Sequence, residues 1–361
     1  MPRCSPLPLI TLLLVLPTGC QTPLPEPTLN VVVDPVDAQR LGFNYTWSRG
    51  LALAEGQRLG HATVLDDLVF VVEEPNNLMT ALSMKDGRVA WMKPWLRPHD
   101  RLFPPVRNGD KILINSETDL YVIEADTGRV LAIQPLASPV RHAPVMVGDY
   151  AVFGGFDGRL FAHDHVAGFT AWAHLFDAPI TAQPTFTGHG IFAADAGGQY
   201  ALLDVDGHLL RSGRTFDRVS APPVATGIGI FVASEDHTLY ALNRMTLQDR
   251  WKFRANHSLT LPPVQLGNVL YLRVPGAGTI ALDATDGREM WKLENLDAVA
   301  VHSEAGAVLM FTGDELWKIN IGRGHVLRRV PAASLHSVLS GKNGALLLVS
   351  QSGRMMRLDR I

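Results

Sequence analysis

One pattern recurs along almost the whole chain: an apolar strand ending in an Ala-Leu-Asp-like triplet, a Gly four residues on, and a Trp after four more. The clearest copies are Ile280–Trp291 (IALDATDGREMW), Leu239–Trp251 (LYALNRMTLQDRW) and Leu160–Trp172 (LFAHDHVAGFTAW). The Asp-like position falls at Ser83, Glu124, Asp164, Asp204, Asn243, Asp283, Asn320 and Asp359, so successive copies lie 37 to 41 residues apart. A second mark keeps the same period, a Pro opening the preceding strand, at Pro105, Pro144, Pro184, Pro223 and Pro263. Self-similarity at this period is the mark of a stacked or closed array.

The physics of one unit is readable. Val69–Val72, Lys111–Asn115, Ala151–Phe153 and Val269–Arg273 are short, rich in β-branched or aromatic residues, and bounded by Gly, Asp or Pro. That is what a meander of antiparallel strands requires. Four strands of five or six residues with their turns use about forty residues. The Asp-x-x-x-Gly piece is a turn, in which the Asp accepts backbone N–H groups and the Gly takes a positive φ. The Trp then falls on the outermost strand, where its ring can cover the seam with the next blade. It recurs at Trp91, Trp172, Trp251 and Trp291, whereas Ala132, Arg211 and Arg328 stand at the same position elsewhere. The fold expected is all-β, an eight-bladed β-propeller of four-stranded antiparallel blades, with seven blades as the alternative.

Ring closure is also written in the chain. The eighth copy stops at Ile361, two residues after Asp359, and so lacks its outermost strand. Phe43–Arg49 (FNYTWSR) contains Trp47 and precedes the first repeat, so it can supply that strand and close the ring without a free sheet edge.

Composition agrees: 47% hydrophobic and 19% charged residues, with Gly 32 and Pro 24, suit a buried body rich in turns. A net charge of −3 offers no basic field, so no nucleic-acid partner is expected. The two cysteines, Cys4 and Cys20, both precede the repeats, so thiol catalysis and zinc-thiolate sites are excluded from the propeller. Met1–Arg3 is a short positive region, and Leu7–Leu16 an apolar run too short for the roughly 20 residues of a membrane span, as in a cleaved export signal. Leu16-Pro17-Thr18-Gly19-Cys20 resembles the lipobox of bacterial lipoproteins. That resemblance implies lipid attachment at Cys20, and Gln21 after it points to the outer membrane. Pro17 stands where the pattern prefers Leu, and an ordinary signal peptide cleaved nearby is the alternative. The organisation expected is a signal peptide over 1–19, a lipidated Cys and extended tether over 20–40, and the propeller over 41–361.

The repeat resembles the pyrroloquinoline-quinone-type propeller motif AxDxxTGxxxW, which Leu120–Leu131 (LYVIEADTGRVL) and Ile280–Trp291 match. With the export signal and the Cys20 junction, the whole chain resembles the BamB family, outer-membrane lipoproteins of the β-barrel assembly machinery. That resemblance implies a non-catalytic scaffold on the periplasmic face of the outer membrane. It would act as a single copy within a hetero-complex, bound to a POTRA domain of a BamA-like protein. Phe216–Ser220 (FDRVS) resembles a family loop with an Asp-Arg-Leu-Ser core, and Asp217, Arg218 and Ser220 carry over as partner-binding residues. A second family loop has no good match near Ala178–Pro184.

Two other classes stay open, a general envelope binding module for carbohydrate or peptide and a quinone-dependent dehydrogenase. By resemblance, such enzymes stack the quinone on adjacent cysteines and carry long insertions; this chain has no cysteine pair, and every repeat stays near forty residues. No cofactor and no catalytic residue are therefore expected. His163-Asp164-His165 looks like a metal site, since alternate residues of a strand share a face. In the repeat register, however, Asp164 is the ordinary turn Asp and His163 replaces a Leu, with no third ligand placed by spacing. No metal is expected.

Overall fold

The structure, a computed structural model, describes residues 31–361 apart from Ala52, Ala54, Trp95, Leu96, Pro98, His99, Ala305 and Ala333. The expected signal peptide, Cys20 and the first part of the expected tether lie outside the described residues. From Val31 on the chain forms one body.

Eight four-stranded antiparallel sheets make the blades of a β-propeller. Blades 1 to 7 follow one another from Arg58 to Pro331, each built as a meander. Their outermost strands are Val89–Pro94, Val130–Pro135, Phe169–Leu175, Leu209–Arg214, Asp249–Arg254, Glu289–Glu294 and Val326–Pro331. Blade 8 takes Leu335–Ser340, Leu346–Ser350 and Arg354–Arg360 from the C-terminus, and Phe43–Gly50 from the N-terminus as its outermost strand. The closing pair runs in register from Phe43 opposite Arg360 to Gly50 opposite Arg354, with an irregularity between Tyr45 and Trp47. The closure expected from the truncated last repeat is the one the chain adopts.

Strand position within a blade explains the residue pattern. Second and third strands are covered by neighbouring blades on both faces and so read as continuous apolar runs, such as the fully buried Ile191–Ala194 and Leu346–Ser350. Outermost strands alternate, as in Phe169–Leu175, because only one face meets a neighbour. The recurrent Pro residues each stand immediately before an innermost strand, where no ladder N–H is needed. The core is accordingly distributed over the seams. Phe70, Met79 and Trp91 of blade 1 pack with Ile112 and Tyr121 of blade 2, and Phe231 and Leu239 of blade 5 with Leu270 and Leu282 of blade 6.

The expected extended tether over 20–40 is corrected from Val31 onward. Pro35–Leu41 is a helix whose N-cap Asp34 accepts the Val36 N–H at 2.8 Å, and Gly42 ends it at φ 102. Val32 and Val33, with Ala38 and Leu41 of the helix, are buried in the seam of blades 7 and 8. Lys318 Nζ donates to Leu41 O at 2.9 Å while paired with Glu304 at 2.8 Å, which caps the helix against blade 7. The body therefore begins ten residues earlier than expected, because the Val31–Val33 run is apolar enough to be worth burying.

Candidate functional site

The five tryptophans expected at seams occupy one repeated dock. Each lies on an outermost strand and reaches the Asp-to-Gly turn of the next blade, where its indole N–H donates to the backbone carbonyl after the Asp-like residue. The pairs are Trp47 to Met84 O at 3.0 Å, Trp91 to Ala125 O at 2.8 Å, Trp172 to Val205 O at 2.9 Å, Trp251 to Ala284 O at 3.2 Å and Trp291 to Ile321 O at 2.5 Å. The ring lies on the turn glycine: a Cβ on Gly287 would come within 2.5 Å of Trp251, and that glycine has φ 75. The Trp and the Gly of the sequence motif thus meet across a seam, one from each repeat.

Where Ala132 replaces Trp, Gln134 substitutes by a route the sequence pattern did not reveal. Its amide donates to His165 O at 3.0 Å, the carbonyl position that receives the indole elsewhere, and its oxygen faces His163 Nε2 at 2.9 Å. His165 Nε2 lies 2.7 Å from Asn108 Nδ2, so this nitrogen accepts. Burial lowers the basicity of both imidazoles, with neighbouring Asp164 opposing it at each. Both histidines are spent on the seam between blades 2 and 3. Among the described residues one group has metal-ligating atoms in reach of each other, Asp204, Asp206 and His208, all in a single turn. There Asp204 already accepts the Asp206 and His208 backbone N–H groups, at 3.0 and 2.8 Å, and faces His208 Nδ1 at 3.1 Å.

On the opposite face, four successive blade-to-blade connections have the same nine-residue form: Leu136–Pro144, Phe176–Pro184, Thr215–Pro223 and Ala255–Pro263. In each the fifth residue, Val140, Ile180, Val219 or Leu259, is fully buried and plugs the loop into the core. The second residue is Ala137, Asp177 or Asn256 in three loops and Phe216 in the fourth. The Phe216 ring is 91% exposed.

That loop is held firmly. Thr215 Oγ1 donates to Asp217 O at 2.6 Å, the Phe216 N–H to Asp236 Oδ2 at 3.0 Å, the Arg218 N–H to Asp217 Oδ1 at 2.7 Å, and Ser234 Oγ to the carbonyls of Asp217 and Arg218. Burial raises the Asp236 carboxyl, but hydrogen bonds from Tyr240 and the Phe216 N–H outweigh it and leave Asp236 below the usual range. Asp217 and Arg218 stand exposed beside the ring, whereas Ser220 Oγ is buried without a hydrogen-bond partner among the described residues. Of the three residues expected to meet a partner, two are presented to solvent and the third points inward.

Eight four-stranded blades, five of whose seams are closed by a Trp on the turn Gly of the next blade, define a propeller of the pyrroloquinoline-quinone repeat class. The sequence profile described as outer membrane protein assembly factor BamB matches residues 76–215 and 156–361, most of the chain, and the protein belongs to that family. Among solved structures, BamB from Moraxella catarrhalis is similar with a TM-score of 0.70 at 16% identity, covering 88% of this chain and 99% of that one. The computationally designed Ika8 protein is similar with a TM-score of 0.70 at 13% identity, covering 86% and 98%. At such identities the likeness is one of fold. No curated protein matches the chain in sequence.

Proposed function

We propose that the protein is a non-catalytic scaffold that assists assembly of β-barrel proteins into the outer membrane, binding a POTRA domain of a BamA-like protein through Phe216–Ser220. The observation that carries this reading is the rigid presentation of Phe216, Asp217 and Arg218 on one face of a family propeller. A loop already fixed before binding loses little conformational freedom on association, which is what an adaptor needs. The four nine-residue connections fit a binding surface better than an enzyme funnel, which needs long insertions. Among the described residues no helix is long and apolar enough to cross a membrane. Attachment at the periplasmic face would then rest on a lipid at Cys20, since acyl chains contribute about 0.8 kcal/mol per buried methylene.

Pull-down of the full lipidated protein from native membranes tests the reading. Recovery of the BamA-like subunit, lost on Asp217→Ala/Arg218→Ala, is the expected result; absence of barrel-assembly subunits from the wild-type eluate defeats it. For the anchor, Cys20→Ser should leave a folded protein in the soluble periplasmic fraction. Retention of that variant in membranes after high-salt washing would defeat the lipid assignment.

A further inference from the structure

In the seam between blades 4 and 5, the outer strand of blade 4 offers neither an indole nor a second cover. Arg211 stands at the Trp position, and two residues on comes Gly213, where other blades carry a side chain such as Gln134, Phe253 or Leu293. Beneath Gly213 lies Tyr200 of the neighbouring strand. Its ring packs on Phe192 at 5.6 Å and the residue is 6% exposed, yet its hydroxyl makes no hydrogen bond among the described residues. A Cβ on Gly213 would stand 2.5 Å from that hydroxyl, so only glycine leaves the tip of the ring uncovered.

The facing wall is basic. Register places Lys252 opposite Tyr240 and Arg254 opposite Thr238, and Tyr240 belongs to the core of this seam, so both cations face blade 4. Arg211 is opposite Leu202 of the same core and so faces blade 5. All three cations are exposed, and neither arginine has a carboxylate partner among the described residues. Of the carboxylates nearby, Asp249 is held by Lys252 Nζ at 2.7 Å, and Asp236 accepts from Tyr240 and from the Phe216 N–H. Burial first, and then the Asp249 charge, push the pKa of the Tyr200 hydroxyl up, so it stays a proton donor.

We propose that this seam binds a phosphate group, with Arg211 from one wall, Lys252 and Arg254 from the other, and the Tyr200 hydroxyl at its floor. A sequestered hydroxyl without a partner is destabilising until an acceptor reaches it. Guanidinium forks match phosphate oxygens in pairs, and an ammonium adds a point charge. Donors converging from two walls and a floor suit a tetrahedral oxyanion better than a carboxylate, whose oxygens lie in one plane. The assignment rests on seam residues alone and stands whether or not Phe216–Ser220 meets a partner.

Two soluble probes test it on the folded full chain, inorganic phosphate and glycerophosphoglycerol, the headgroup of an anionic phospholipid without its acyl chains. Saturable binding is expected, seen as phosphorus NMR line broadening and in calorimetric titration. Tighter binding of the diester assigns a lipid headgroup, and tighter binding of inorganic phosphate a free ligand. Arg211→Gln/Arg254→Gln should weaken binding about tenfold or more, and Tyr200→Phe about fivefold or more, with little change in melting temperature. Arg214, on the same strand as Arg211 but turned toward blade 3, provides the control, and Arg214→Gln should bind as the wild type does. Absence of binding by both probes overturns the assignment, as does an equal loss in Arg214→Gln or undiminished binding by the double variant. Acetate bound as tightly as phosphate would overturn it too, by showing that the seam takes any anion.

Discussion

At the residue scale, the two most recognisable letters of the repeat are two halves of one contact. Trp251 leaves no room above Gly287, and Gly287 has a left-handed backbone that a side chain resists. Gly287→Ala should therefore cost about 2 to 5 kcal/mol, combining roughly 1 to 2 for the backbone with 1 to 3 for overpacking. The double variant Trp251→Ala/Gly287→Ala should cost clearly less than the sum of the two single ones, since removing the ring removes the clash. Urea unfolding of the four proteins checks this, and a midpoint unmoved by Gly287→Ala would mean that the ring and turn are not packed as described. The chain holds a natural control. Blade 4 has Arg211 in place of Trp, and the facing turn of blade 5 has Leu247 where the Gly would be, at φ 57 and buried. Without an indole above it, the turn accommodates a side chain that fills the space.

At the element scale, the N-terminal strand and the helix before it make separable contributions. A chain beginning at Val36 loses Val32, Val33 and the cap from Asp34, and should be destabilised by about 3 kcal/mol or more relative to one beginning at Asn30. A chain beginning at Leu51 also loses Phe43–Gly50, exposing the edge of Arg354–Arg360, and should aggregate. Equal melting of the Asn30 and Val36 chains would show that Val32 and Val33 add nothing to the seam. Strand number, blade count and closure were legible in the sequence because each rests on a period of forty or a period of two. The helix was not. Its signals were present in Asp34-Pro35 at one end and Gly42 at the other, but the prolines at positions 23, 25 and 27 made the neighbouring stretch read as an extended linker. Gln134 was hidden for a different reason: it stands two residues from the motif position, and its hydrogen bond is defined only once blades 2 and 3 are neighbours. The loop at Phe216 was legible as Asp-Arg, but the inward turn of Ser220 followed from the buried plug Val219, which no spacing rule singles out.

At the scale of the whole propeller, several blades and one connection carry histidines that folding holds neutral. Burial lowers the pKa of His61 to about 4, against a rise from Glu74. His142, His163, His165 and His302 are lowered by burial in the same way. His142 shows why the neutral form is required, since its Nε2 accepts the Gly154 N–H at 3.3 Å while Nδ1 contacts Ala143 O at 2.9 Å. Above about pH 6.5, folded and unfolded chains both hold these rings neutral, and stability is indifferent to them. As pH falls below that value, the unfolded chain takes up protons that the folded one refuses, so stability drops by up to about 1.4 kcal/mol per unit for each such ring. For His61 the drop continues down to about pH 4. Because these rings sit in blades 1, 3 and 7 and in the connection between blades 2 and 3, the loss should appear as one cooperative shift of the whole ring and not as the fraying of one blade. Unfolding free energy measured by urea titration should be level between pH 8 and 7 and fall steadily between pH 6.5 and 5, with a shallower fall in His61→Gln. A wild-type curve that stays flat or rises over that interval would mean that the buried histidines are charged in the fold, or reach solvent there.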